Sequence, residues 1–116
     1  MSKFQPMRVS ANTCFVEEGS LPQAVYFLLS GSVLKDSKLN TLVGAKNSYL
    51  IEGSIFGETD LMKNRVRSES YTTVTDSYLL RIPKTLFKEV LQEFDDFRFE
   101  VDAIIRQREW MRLARI

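Results

Sequence analysis

The sequence predicts an α+β domain, an antiparallel β-rich body of about 70 residues followed by two helices. Three observations carry that expectation. All five glycines, Gly19, Gly31, Gly44, Gly53 and Gly57, fall in the first half, at the spacing of tight turns. The segments between them are short and rich in β-branched and aromatic residues, which suit a pleated, half-buried surface. Beyond Pro83 the apolar residues change to helical spacing.

The elements follow in order. Thr13 to Val16 reads as a strand, with Cys14 expected as a small core residue. Ala24 to Leu29, Ser32 to Leu34 and Ser48 to Ile51 read as further strands. Lys35 to Ser48 is polar and is expected to form a hairpin with a loose loop. Ser70 to Thr75 alternates as a strand should, and Tyr78 to Ile82 follows as another. The β body is thus expected over about 11–82 and the helices over about 84–116, within one domain covering 1–116.

In the first helix, Leu86, Phe87, Val90 and Leu91 share one face. The second, from about Asp95, carries two apolar stripes at ~100° per residue. Phe97, Val101, Ile104, Ile105 and Met111 lie on one side; Phe99, Ala103, Trp110 and Leu113 lie roughly opposite. Two stripes imply two contacts, one with the body and one with a ligand, a second subunit or a further segment.

Composition narrows the function. With 44% hydrophobic and 27% charged residues, the chain is ordinary globular material rather than disordered. Sixteen basic against 15 acidic residues leave a formal charge of +1, which supplies no general attraction to nucleic acid. Histidine is absent and Cys14 is the only cysteine, so the commonest general base and the commonest metal ligands are missing. No catalytic residue, no metal site and no enzymatic activity are therefore expected. The lone thiol fits a reducing compartment, and a cytoplasmic location is expected. No apolar run reaches the ~18 residues of a membrane span, and the opening MSKFQPMRVS lacks the apolar core of a signal peptide.

The chemistry concentrates in Ile55 to Ser70, IFGETDLMKNRVRSES. Gly57 allows a close turn, and Glu58 to Met62 can form about one turn of helix. If the chain folds back, Arg67 and the amides of that turn converge on one space. Arginine's planar fork binds two phosphate oxygens at once, and an ionised Glu58 accepts hydrogen bonds from hydroxyls. A sugar phosphate with its phosphate near the ring meets both demands. Arg65 is expected in solvent.

At these residues the sequence resembles the cyclic nucleotide-binding domain family, over nearly its whole length. Glu18 to Val33 (EGSLPQAVYFLLSGSV) is similar to the family's early glycine turn, Tyr-Phe strand and Gly-x-Val hairpin. Leu50 to Glu58 (LIEGSIFGE) is similar to its entry to the phosphate-binding cassette, with Leu61 as apolar anchor and Arg67-Ser68 as the basic end. Thr75 to Ile82 (TDSYLLRI) resembles the strand that leads into its final helices. The resemblance implies a mainly β, antiparallel β-roll of jelly-roll type with a short phosphate-cassette helix and two C-terminal helices. It implies cAMP or cGMP as ligand, held by Phe56, Gly57, Glu58, Thr59, Arg67 and Ser68, with no further cofactor. Glu58 would take the ribose 2′-hydroxyl and Arg67 the cyclic phosphate, assisted by the amides of Gly57 and Ser68. The Ser68 hydroxyl would reach a guanine or the phosphate, and the last helix would close as a lid through Ile105 or Trp110.

The tail Phe87 to Phe97 (FKEVLQEFDDF) looks most like cyclic nucleotide-gated and hyperpolarisation-activated channels. A channel is accordingly the expected effector, with the domain itself outside the membrane and self-association through flanking segments. Glu69 departs from the family's small residue, and strand alternation is expected to turn it away from the phosphate. The alternative is a member of the same fold that binds no nucleotide and has a structural or interaction role. A cupin-like metalloenzyme would need clustered histidines.

Overall fold

A computed structural model describes residues 4–44, 47–93, 103 and 106. The described elements are β1 (Gln5–Val9), β2 (Cys14–Val16), β3 (Ala24–Ser30), β4 (Val33–Asp36), α1 (Lys38–Leu42), β5 (Ser48–Leu50), β6 (Ile55–Phe56), α2 (Glu58–Met62), β7 (Ser70–Thr73), β8 (Ser77–Pro83) and α3 (Lys84–Glu93). The strands form two four-stranded sheets, ordered β1-β8-β3-β6 and β2-β7-β4-β5, in which neighbours run antiparallel. The chain passes repeatedly from one sheet to the other. This is the expected mainly β roll.

Alternation along the strands puts one face of each sheet inside. Val9, Tyr26, Leu28, Phe56 and Leu79 of the first sheet meet Val16, Val33 and Tyr71 of the second in one core. Rings dominate one part of it. Phe56 stacks on Tyr26 at 5.6 Å between centroids and lies 4.8 Å from Tyr71, while Phe15 meets Tyr26 edge-on at 5.5 Å. Gly31 has φ +105, and a Cβ there would fall 2.3 Å from the Oγ of fully buried Ser77. Only glycine lets the β3–β4 turn lie so close to β8.

A second core joins the helices to the roll. Val25 of β3, Leu61 of α2 and Phe87 and Leu91 of α3 are all buried together, with Ile55, Met62 and Ile82 packed against them. Phe87 and Leu91 stand four apart, so one face of α3 carries both. At five residues, α2 is too short to hold itself and depends on the burial of Leu61, which is 1% exposed.

Several expectations are corrected. The roll starts at Gln5 rather than near residue 11, because β1 pairs with β8 from Gln5↔Arg81 to Val9↔Ser77. The Lys35–Ser48 stretch does close an antiparallel β4–β5 hairpin, but its loop is ordered as α1, capped by Ser37, whose Oγ accepts from the Asn40 amide at 3.0 Å. Cys14 is exposed, not buried. A register shift between Cys14 and Val16 breaks the alternation, so Phe15 and Val16 both turn inward. Beyond Glu93 only Ala103 and Arg106 are described, both helical and exposed. The other residues of the two apolar stripes, and the lid residues Ile105 and Trp110, lie outside the described residues.

Leu61→Ala is expected to lower the unfolding free energy by about 2–5 kcal/mol, the cost of a cavity in a packed core. Urea denaturation measures it. A loss of about 0.5 kcal/mol, the size of a surface change, would show that α2 shares no core with α3.

Candidate functional site

The site is built on the turn from β6 into α2 and on the segment leading into β7. Gly57 caps α2 in the left-handed region at φ +85. A Cβ at this position would stand 2.8 Å from Arg67 Nη1, so the missing side chain is where the guanidinium rests. Arg67 Nη1 donates to the Gly57 carbonyl at 2.5 Å, and Nη2 donates to the Ala24 carbonyl of β3 at 2.6 Å. The Arg67 backbone is pinned as well. Its N–H donates to Ser20 O at 2.8 Å, and its carbonyl accepts from Gly19 N–H at 2.7 Å. The residue is only 3% exposed.

Two buried acids follow Gly57 in the chain. Glu58 and Asp60, 3% and 4% exposed, both sit in the first turn of α2, where the helix dipole favours negative charge. Thr59 between them is half-buried. Asp60 reaches out of its own helix. Its Oδ1 accepts from Arg65 Nε at 2.6 Å, and its Oδ2 accepts from the Ser68 amide at 3.0 Å. The Ser68 hydroxyl lies 3.0 Å from Oδ2 and 3.2 Å from Oδ1.

Tyr71 reports how tightly these charges gather. Its phenol is pushed far above the ordinary tyrosine range, first by burial and then by Glu69, Glu58 and Asp60, with Arg67 acting in the opposite direction. All four charges therefore lie within electrostatic reach of one buried ring. Glu69 nevertheless turns toward β4, where its Oε2 stands 3.7 Å from Lys35 Nζ.

Of the residues singled out in the sequence, Gly57, Glu58, Thr59, Arg67 and Ser68 are brought together at this turn. Phe56 lies beneath them as a core ring, 1% exposed. Ser68 gives both its donors to Asp60. Arg65, expected in solvent, is corrected: its side chain is about one-third exposed and ion-paired with Asp60. Asp60 itself escaped sequence reasoning. The available signal was a second acid two residues after Glu58 on a helix of one turn. Among the described residues no group of three metal-ligating side chains occurs, and no described helix is long and apolar enough to cross a membrane.

The family model described as cyclic nucleotide-binding domain matches residues 6–94. The chain belongs to the cyclic nucleotide-binding domain family, a class of regulatory modules. Among curated relatives it is 30% identical over 107 residues to lysophospholipase nte1 of Aspergillus oryzae, and 26% identical over 103 residues to lysophospholipase NTE1 of Chaetomium globosum. The match covers 88% of this chain and spans 7% of the length of either relative. Among solved structures, the catabolite activator protein of Thermus thermophilus aligns with TM-score 0.79 and 25% identity, over 96% of this chain and 51% of that one. The EAL enzyme Bd1971 in its cGMP-bound form shares the fold, with TM-score 0.74 and 21% identity over 96% of this chain and 30% of that one.

Two outcomes test the site's geometry. Gly57→Ala is expected to cost about 1–3 kcal/mol, from the left-handed backbone and the displaced guanidinium, and a chemical melt reads it. Because the folded Tyr71 phenol holds its proton more tightly than an unfolded one, its stabilisation is complete below about pH 10 and is lost as pH rises beyond it. Denaturation midpoints at increasing alkaline pH should fall more steeply for the wild type than for Tyr71→Phe. Parallel curves would remove Tyr71 from the buried cluster.

Proposed function

We propose that the domain binds cAMP or cGMP in the roll and passes its occupancy to an effector elsewhere in a longer chain. The observation that carries this reading is the Arg67 guanidinium, buried on the carbonyls of Gly57 and Ala24 beside buried Glu58, in a chain of this family. A buried arginine fork whose Nη atoms rest on two backbone carbonyls can exchange them for a phosphate, gaining charge-assisted bonds. Glu58 then serves the ribose hydroxyl. The domain acts by binding, not catalysis.

Transmission follows from the shared core. Leu61 leaves the ligand-facing turn and packs on Phe87 and Leu91, so a shift of α2 is felt by α3. Ligand that binds one arrangement better shifts the population toward it. For the effector, the similarity to lysophospholipases favours a lipid-acting hydrolase, while a channel remains the reading carried by the resemblance of the tail. The engagement of both Ser68 donors by Asp60 favours, as second reading, a domain of the same fold without nucleotide.

Calorimetric titration with cAMP and cGMP decides between them. Arg67→Ala is expected to weaken binding by about 30- to 1000-fold, or about 2–4 kcal/mol. Unchanged affinity in a folded variant would remove Arg67 from the ligand, and a folded wild type that takes up neither nucleotide would leave the second reading.

A further inference from the structure

We infer that Asp60 is a built-in competitor for the nucleotide's phosphate, so that the chain's own carboxylate sets how much ligand is needed to fill the site; this rests on the binding reading above. Asp60 is 4% exposed and is held by Arg65 Nε, the Ser68 amide and the Ser68 hydroxyl. An arginine, a backbone amide and a hydroxyl are the donors a phosphate takes. Here one carboxylate holds all three, on the residue next to Arg67. Ser68 follows Arg67 directly in the chain, so a phosphate carried by Arg67 and the Ser68 amide would compete with this carboxylate for the donors it holds.

Capping does not explain the arrangement. An acid in a first helical turn ordinarily takes the amides of that turn, whereas Asp60 reaches eight residues forward to Ser68. Charge points the same way. Asp60 is ion-paired with Arg65, and buried Glu58 and Arg67 belong to the same turn, so a phosphate added there raises the negative charge of a place that already holds two acids and two arginines. Without the Asp60 charge, the same phosphate restores balance and gains the donors that Asp60 held. Nucleotide binding therefore includes the displacement of Asp60, and the affinity is lower than the cradle alone would give.

Calorimetric titration of the wild type, Asp60→Ala and Asp60→Asn with cAMP and with cGMP tests this. Both variants are expected to bind the preferred nucleotide about tenfold or more tightly than the wild type, the relief of a close like-charge contact. Equal or weaker binding by folded variants overturns the inference alone and leaves the domain a nucleotide binder, with Asp60 a strut of its loop. A silent wild type beside a binding variant supports the inference in its strongest form. Silence of all three overturns the binding reading and the inference with it. Where Asp60→Ala does not fold, Asp60→Asn, of the same shape and without the charge, carries the comparison. Hydrogen exchange at the wild-type Ser68 amide needs no variant. Saturating nucleotide is expected to change its rate, and an unchanged rate under proven occupancy overturns displacement.

Discussion

The Arg67 guanidinium, lying on the carbonyls of Gly57 and Ala24, is the contact on which the arrangement of this domain turns. One arm of the fork holds the start of α2, and the other holds β3 at the centre of its sheet. The Arg67 backbone meanwhile pairs with Gly19 and Ser20. A single side chain thus joins three parts of the chain that are distant in sequence. Lysine could not do this, because a point charge on a flexible stem lacks the rigid fork. The glycine at residue 57 belongs to the same device, since any Cβ there would occupy the place of the fork.

A buried guanidinium is costly unless its donors are met and its charge is balanced. Backbone carbonyls accept from its Nη atoms, buried Glu58 stands in the turn on which it rests, and Asp60 in the same turn is paired with Arg65. The carboxylates are in turn eased by the helix start. Tyr71 records the result, its phenol kept protonated by burial and by the surrounding acids. The site is therefore a balanced cluster of charges within a largely apolar roll, and any anion entering it must be weighed against the acids already present.

Much of this was legible in the sequence, for identifiable reasons. Gly31 and Gly57 both occupy positive-φ positions with another side chain where a Cβ would stand, and such positions punctuate the sequence visibly. Tyr26 and Leu28 of β3 and Leu79 of β8 follow strand alternation, so their burial could be read directly, whereas Val25, on the opposite face of β3, is buried by α2 and α3. Cys14 could not be read so, because the bulge that turns it outward is a property of pairing with β7 rather than of the residue. β1 was missed because Pro6 argues against a strand; as an edge strand paired only with β8 it tolerates the proline. At the site, residue type and spacing pointed to Glu58 and Arg67. Asp60 and Arg65 were hidden because their roles come from the loop that carries residues 65 and 68 back over α2, which is tertiary information.

On the binding reading proposed above, these contacts also explain how so small a helix would act as a relay. A five-residue helix has no stability of its own, so α2 exists only while its ends are held. Arg67 holds its beginning, Asp60 ties it to Ser68, and Leu61 is clamped by Val25, Phe87 and Leu91. Two of these ties are polar, the ones the proposed ligand would exchange; the third is apolar and connects to α3. A change at the polar ties is therefore not absorbed locally, because α2 has no independent fold to retain. Packed cores accommodate such a shift by repacking between discrete arrangements rather than by gradual strain. On the proposed reading the helix would serve as a relay because it is unstable alone, and lengthening it into a self-sustaining helix would weaken the connection between the charged turn and α3.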